Sequence, residues 1–511
     1  MSSNIEPIAT KIDTQDSYSA TGGIGGTSGN RPQITISGPT DFPRMVATDV
    51  LVIGGGPGGY TAAIRAAQRG HDVTLVDRDG VGGTCLNHGC IPSKALLTAS
   101  NLVTDLESAS QMGIYAEPFV DVGELIDWKD DVVDRLTGGV ENLCEANGVT
   151  VREGTARFTA DHTVEIDPRD GATVGLEFEN AIVATGSRPM EIPGFPFNAT
   201  PILNSRQALA LETAPSSLVV VGAGYIGMEL STVFAALGTD VTVIEMEYDV
   251  LPGYEADLTQ PVRERAESLG VDFRFGQVAS EWSRTDDGSV TLHTDGASGS
   301  SFETTADKLL VAIGREPVSD TLALEAVGVE PNDGGFLETD DRMRTTRDHV
   351  FAVGDVAGEP MLAHTAIAEG LVAAEVALGG DAALRDAAIP TAVFVDPEIA
   401  TVGLTESEAS DAGHSPVVGE FSFDASGRAL TLTETDGFVR VVAEEDGGRL
   451  LGAQIVGPEA SELIGELGLA VETGLSLEDV AGTVHMHPTL SEAVMEACEN
   501  ALGQAIHTLN R

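Results

Sequence analysis

Positive charge is what this 511-residue chain has least of: 28 lysines and arginines stand against 80 aspartates and glutamates, a net charge of −52. Only four lysines occur, Lys11, Lys94, Lys129 and Lys308. A basic patch able to neutralise phosphates is therefore not expected, which excludes electrostatic nucleic-acid binding. No stretch approaches the roughly 18 apolar residues of a membrane span, so no membrane association is expected. The N-terminus shows no charged region followed by an apolar run, so no secretory signal is expected. Cysteine is scarce at four residues, which excludes a disulfide-built scaffold. With no external address, the cytoplasm is the expected location.

Hydrophobic residues nonetheless make up 42% of the chain and fall in periodic segments, so it folds. The length suggests three or four domains. Such self-repulsion is tolerable where salt shortens the Debye length to about 3 Å, and the composition resembles that of extreme halophiles. Activity and stability are expected to rise with KCl to molar levels. Residues 1–44, rich in Gly, Ser, Thr, Asn and Pro, read as a flexible tail.

Two of the four cysteines, Cys85 and Cys90, lie five apart in the run Gly82-Gly-Thr-Cys-Leu-Asn-His-Gly-Cys-Ile-Pro-Ser-Lys94. On an ideal helix that spacing separates Cα atoms by roughly 8–9 Å, whereas a disulfide needs about 4.4–6.8 Å. A bridge therefore requires a bent turn, expected at Asn87-His88-Gly89, where Asn and Gly tolerate left-handed backbone. A strained bridge of this kind is readily reduced, which suits a catalytic disulfide. Half a zinc site and an inert thiol pair are the other readings, but zinc needs four ligands. Cys144 and Cys498 are isolated and read as buried small hydrophobes. No metal site is expected.

The chain contains a repeat with a constant offset of 168 residues. Gly54, Gly56 and Gly59 map onto Gly222, Gly224 and Gly227, Gly70 onto Gly238, and Asp77 onto Glu245. Each copy reads as an apolar strand, a G-x-G-x-x-G turn, an Ala-rich helix and a second strand ending in an acid. The first glycine makes the tight turn, the second lets backbone approach a pyrophosphate, and the third lets helix and strand pack closely. The helix N-terminus offers N–H groups to phosphate, and the acid accepts ribose hydroxyls. Two copies imply two dinucleotides. The thiols follow the first copy closely, and flavin, unlike nicotinamide, readily accepts electrons from a thiolate. FAD is therefore assigned to copy one and a nicotinamide dinucleotide to copy two. Glu245, followed by Met246, repels a 2′-phosphate, which favours NAD over NADP.

Residues 181–187 and 309–315 read as apolar strands ending in glycine, where the chain leaves one nucleotide domain and returns. Residues 350–355 read as a buried strand delivering Asp355. From about Pro390 alternating apolar residues predict antiparallel strands, completed by helices over 461–474 and 491–506. The fold class is thus α/β, with two Rossmann-like dinucleotide-binding domains and a C-terminal α+β domain. The expected boundaries are 45–190 with 313–385 for FAD, 191–312 for NAD and 386–511 for the C-terminal domain. The last region carries His485-Met-His487-Pro-Thr-Leu-Ser-Glu492. Ser491 reads as a helix N-cap, or Thr489 with Glu492 as a capping box. The His-x-His pair, read by itself, is a surface loop or a weak metal site.

At these motifs the chain resembles the flavin-dependent pyridine nucleotide–disulfide oxidoreductases, over residues 46–511. The resemblance implies that Cys85 exchanges with a dithiol substrate and that Cys90 passes electrons to the flavin. It implies that His487 takes the substrate proton, oriented by Glu492, and that this pair comes from the second subunit of a homodimer. Chemically, a dithiol needs a base because the thiolate is the nucleophile. The resemblance further implies that Lys94 pairs with Glu229 beside the flavin. By position, Gly54, Gly56, Gly59, Asp77, Gly82, Gly83, Thr84, Ala156, Thr185, Gly186, Ser187, Asp355, Met361, Leu362, Ala363 and His364 resemble FAD contacts. Gly222, Gly224, Tyr225, Ile226, Gly227, Glu229, Glu245, Val278 and Gly314 resemble NAD contacts.

Leu490-Ser491-Glu492-Ala493 resembles the branch that acts on lipoyl dithiols. The implied reaction is oxidation of protein-bound dihydrolipoamide to lipoamide with NAD. The implied partner is a lipoyl-bearing protein of a 2-oxoacid dehydrogenase complex or a glycine cleavage system. A reductase of another low-molecular-weight disulfide is the alternative enzyme, and a non-catalytic FAD-holding subunit is the alternative outside catalysis. Two positions depart from the family: His88 lies between the cysteines, and Thr365 stands where a lysine commonly occurs. His88 either adds positive charge that stabilises a thiolate or faces solvent.

Overall fold

The computed structural model describes residues 46–198, 201–296, 299–384 and 388–510; the tail assigned to 1–44 lies outside them. The first glycine-loop unit is built on parallel strands in the order Thr150–Glu153, Val73–Asp77, Val46–Ile53 and Val174–Val183, with Val350–Ala352 pairing on the last. Helices Pro57–Gln68, Val122–Ala146 and Ala363–Ala377 cover one face of the inner strands, and the Thr155–Asp167 hairpin with residues 322–337 covers the other, so those inner strands are apolar on both faces. Val50, Leu51 and Val52 are wholly buried, and each such side chain contributes roughly 1.5–3 kcal/mol. Thr155–Ala160 and Thr163–Asp167 extend the same sheet antiparallel.

The second unit repeats the plan. Its parallel strands run Asp272–Phe275, Asp240–Glu245, Ser217–Val221, Lys308–Val311 and Ile202–Leu203. The chain leaves and re-enters the first unit through one antiparallel ribbon, Ser187–Pro189 against Arg315–Pro317. This is the crossing expected from the two glycine-ended strands.

The C-terminal region is a five-stranded antiparallel sheet, Thr391–Val393, Glu398–Gly403, Leu450–Gly457, Phe438–Glu444 and Pro416–Ser422 in spatial order. Helices Ala460–Thr473 and Glu492–Ala501 pack on it through Ile464, Leu467, Val494 and Ala497. The second helix is shorter than the 491–506 expected, because Gly503 turns left-handed at φ 70. One apolar core joins Leu96 and Leu97 after the thiols, Met228 and Leu230 of the second unit, and Val393, Val395 and Val456 of the C-terminal sheet. The thiols therefore sit where three regions meet. Among the described residues no helix is long and apolar enough to cross a membrane.

Candidate active site

A cavity of about 1070 Å³ runs from the first glycine loop, past Cys85 and Cys90, to Tyr225 and Glu229 at the head of the second unit's helix. Helix Pro57–Gln68 begins at its wall with no side chain capping it, so its N–H groups and dipole are free for an anion. Asp77 lines the cavity. Its carboxylate accepts the Gly55 N–H at 2.6 Å and the Asp79 N–H at 2.8 Å. Burial pushes Asp77 above the usual carboxylate range, against the pull of those two N–H groups.

The second unit copies this geometry atom for atom. Glu245 accepts the Ala223 N–H at 2.6 Å and the Glu247 N–H at 2.9 Å. Gly54 and Gly222 turn at φ +110 and +105, and a Cβ on either would strike the backbone oxygen of Ala184 or Ala312. Gly56 and Gly224 face open space, with nothing nearer than 3.9 Å to a Cβ on either. Each loop is thus an open cradle of backbone, which fits a dinucleotide pyrophosphate.

Helix Gly83–His88 ends at Gly89, and a new helix, Cys90–Ser108, starts at the second cysteine. The bend falls where expected but not by left-handed backbone: Gly89 has φ −143 and ψ −108. Asn87 stays helical, giving its amide N–H to Val81 O and accepting from Thr137 Oγ1. The bridge expected between the cysteines is open here, both being free thiols. They are hydrogen-bonded to one another. Cys90 is held below its ordinary value first by that bond and then, against the opposing burial, by the Lys94 ammonium; Cys85 is pushed up by the same bond and by burial.

Lys94 Nζ lies 2.8 and 2.7 Å from the two carboxylate oxygens of Glu229, as the resemblance implied. Glu229 is buried and also accepts the Phe394 N–H at 3.2 Å, while the ammonium sits 4.3 Å above the Phe394 ring. Ser187 donates to Asp355, and Arg315 Nε donates to Ser187 Oγ at 2.7 Å. Thr185 Oγ1 donates to Val318 O at 2.6 Å. Gly54, Gly56, Gly83, Thr84, Ala156, Thr185, Gly186, Ser187, Tyr225, Ile226, Asp355, Met361 and Ala363 line the same cavity.

Gly59, Gly82, Leu362 and His364 lie outside that lining. His364 instead meets Pro390 O through Nε2 at 2.7 Å. Gly222, Gly224, Gly227, Glu245, Val278 and Gly314 also lie outside it. Met246, Val278 and Ile313 are exposed near the second loop. His88 lines the cavity half-buried, and burial, then Arg206, pushes its ring below the ordinary histidine value. Its ring is therefore less readily charged than that of an ordinary histidine.

His487 Nδ1 lies 2.9 Å from Glu492 Oε1, and the other carboxylate oxygen accepts the Thr489 N–H at 2.9 Å. Burial opposes ionisation of Glu492, yet Thr489 and His487 hold it below the usual carboxylate range. The helix-cap expectation is half met. Ser491 occupies the N-cap position without a side-chain cap bond, and Glu492 supplies only the carboxylate half of a capping box. His487 and Glu492 do not line the cavity of their own chain, and the His487 side chain is 80% exposed. His485 is a different case from the surface loop or metal site expected: its ring is buried against Glu466, and no metal-holding cluster occurs among the described residues.

Sequence reasoning missed Arg315, Phe394 and Glu369, whose carboxylate accepts the Gly354 N–H at 2.6 Å. Arg315 follows a glycine already singled out; the other two carry no local signal.

Residues 48–370 match the family model described as pyridine nucleotide-disulphide oxidoreductase, and residues 389–498 match its dimerisation domain. The chain belongs to the pyridine nucleotide-disulphide oxidoreductases, and as a member it uses FAD and NAD. It is 62% identical over 466 residues to a dihydrolipoyl dehydrogenase of Halobacterium salinarum, covering 91% of this chain and 98% of that one. The corresponding figures for a dihydrolipoyl dehydrogenase of Geobacillus stearothermophilus are 45% over 467 residues, 91% and 98%. The crystal structure of LpdA from Mycobacterium tuberculosis superposes with a TM-score of 0.82 at 29% identity, over 88% of this chain and 99% of that one.

Proposed function

We propose that the protein oxidises a protein-bound dihydrolipoyl group to its cyclic disulfide and delivers the electrons to NAD, working in the cytoplasm. The observation that carries this is the thiol pair, Cys85 and Cys90, in a cavity shared with the first nucleotide loop and with Lys94 and Glu229. Residues 45–190 and 313–385 would form the FAD domain, 191–312 the NAD domain and 386–511 the dimerisation domain. The names of the relatives support the substrate.

Each turnover starts from the oxidised Cys85–Cys90 pair. A substrate thiolate attacks Cys85 Sγ, breaking the bridge, and Cys90 leaves as the thiolate that Lys94 favours. The second substrate thiol then displaces Cys85 from the mixed disulfide, closing the lipoyl ring. His487 of the second subunit receives the protons released, its ring held in one orientation by Glu492. FAD, when bound, supplies the two-electron acceptor between Cys90 and NAD. Asp77 and the first loop would hold FAD, with Ser187 and Asp355 at its other end; Glu245 and the second loop would hold NAD. The lipoyl group would belong to a 2-oxoacid dehydrogenase complex or a glycine cleavage system.

The test is anaerobic reduction in molar KCl with dihydrolipoamide and NAD, set against glutathione disulfide and NADPH. The first pair should turn over at least about 100-fold faster, since a mismatched disulfide and a 2′-phosphate facing Glu245 each work against the second. Preference for the second pair refutes the reading.

A further inference from the structure

The segment that carries His487 stands out from the surface of the single chain, where it can reach the facing subunit. Val484 is 95% exposed and Met486 77%. Between them His485 turns inward, its side chain 5% exposed. Its Nδ1 donates to Thr483 O at 2.9 Å, and its Nε2 lies 3.1 and 3.3 Å from the two oxygens of Glu466. Glu466 belongs to helix Ala460–Thr473, which is locked to the sheet by Ile464 and Leu467. On the far side of His487 a second set of bonds takes over. Thr489 Oγ1 donates to Met486 O at 2.6 Å, and Glu492 on helix Glu492–Ala501 holds both Thr489 N–H and the His487 ring.

The base thus hangs between two carboxylates on two different helices, Glu466 behind it and Glu492 ahead. Glu492 fixes how the ring turns. It does not hold the backbone on the other side of the base, where Val484 is exposed. His485 closes that freedom. A ring bonded at both nitrogens and buried on both faces has one position, and the base is two residues along the chain from it.

We propose that His485, anchored by Glu466, is a positioning residue for the base His487: it sets the distance from His487 to the thiols of the facing subunit. The inference rests on the proposed role of His487. Its effect lies on the step in which a substrate proton is taken up, where a displacement of about 1 Å lowers rate by up to about 100-fold. Binding of FAD and NAD does not depend on it.

The experiment uses the full-length FAD-loaded protein in molar KCl. His485→Ala should lower kcat for dihydrolipoamide between about 10- and 100-fold and shift the acid limb of its pH profile. NADH-driven reduction of ferricyanide, which bypasses the base, should stay at the wild-type rate with an unchanged KM for NADH. Glu466→Gln keeps an acceptor oxygen for Nε2 and should retain at least about half the activity, whereas Glu466→Ala should behave as His485→Ala. Combined with His487→Ala, His485→Ala should add less than about twofold, because it acts through the base.

A kcat within about twofold of wild type for both His485→Ala and Glu466→Ala would overturn the anchor. So would a full additional loss in the His487→Ala background. If His485→Ala fails to retain FAD, Glu466→Ala, whose side chain is partly exposed, decides the matter alone. A wild-type protein that does not oxidise dihydrolipoamide defeats the proposed function and the anchor with it. A wild type that does, matched by both variants, defeats the anchor only.

Discussion

The two glycine-loop units share a backbone and differ in what covers it. In the first, Gly58 lies against a crossing helix, Ala363–Ala377, so closely that a Cβ would meet Ala366 O at 2.9 Å. The equivalent position in the second is Ile226, half-buried at the end of the large cavity. The first loop opens into the large cavity, beneath the crossing helix. The second opens towards exposed Met246, Val278 and Ile313. The same phosphate cradle can therefore hold a resident cofactor or an exchanging one, and the choice is made by neighbours, not by the cradle.

The sharpest way to break this comparison is at the thiols, which only the first unit owns. Cys85→Ser should lower dihydrolipoamide-dependent NAD reduction by at least about 10³-fold, as loss of an attacked or attacking atom does. FAD content should be unchanged, as should NADH-driven ferricyanide reduction. Retained turnover would mean that electrons enter elsewhere. Next comes the third glycine of each loop. A Cβ on Gly59 would lie 1.8 Å from Gly54 O, and one on Gly227 2.0 Å from Gly222 O. Equal strain should have unequal results. Gly59→Ala should purify with less than about a tenth of its FAD, and Gly227→Ala should keep FAD while its KM for NAD rises about tenfold, in line with overpacking penalties of roughly 1–3 kcal/mol. Equal loss of FAD from both would erase the distinction between the units.

Lys94 gives a smaller, more specific effect. Its ammonium favours the Cys90 thiolate, so Lys94→Met should move thiolate formation, followed by its ultraviolet absorbance, to higher pH. The sign follows from removing the cation that stabilises the charged form. Turnover should fall about tenfold. The variant should also lose about 3 kcal/mol of stability, because Glu229 is left buried and charged. Lys94→Met with Glu229→Gln should recover most of that stability and part of the thiolate shift, because the Glu229 charge itself opposes ionisation of Cys90.

What could be read from the chain was what is local or repeated. The loop residues from Gly54 to Asp77 share one supersecondary unit, and the second copy corroborated each by its offset. The cysteines were legible because their spacing sets a geometric demand that Gly89 meets, although not through left-handed backbone: it turns at φ −143, ψ −108. What could not be read depends on residues far apart in sequence. Phe394 reaches Lys94 from the C-terminal sheet, Arg315 reaches Ser187 across the ribbon, and Glu369 reaches Gly354 from the covering helix. His88 illustrates the same limit. Its charge is decided by burial and by Arg206 on a distant helix, and nothing beside it in the chain announces either. His487 and Glu492 were legible only through a family resemblance, since five residues of spacing serve equally well for a cap.

The smallest expected effect tests how the first unit keeps its roof. Arg65 and Arg69, on the first glycine-loop helix, reach Glu375 on the crossing helix at 3.2 and 2.6 Å. The equivalent positions in the second unit are Val233 and Leu237, which pack into apolar core instead. The hydrogen bond from Arg69 is first in holding Glu375 below the usual carboxylate range. A carboxyl depressed by folding stabilises at neutral pH and loses that contribution as pH falls through the acid range. The pair is largely solvated, so its worth is small: Glu375→Gln should lower Tm by no more than about 2 °C at low salt, measured by calorimetry at neutral pH. In molar KCl screening should reduce even that difference, while Val233→Ala should destabilise equally in both conditions, because apolar packing is not screened. A Glu375 effect that persists in molar KCl would show that the roof is held by a desolvated ion pair, and that the first unit's closure, like the second unit's packing, is independent of salt.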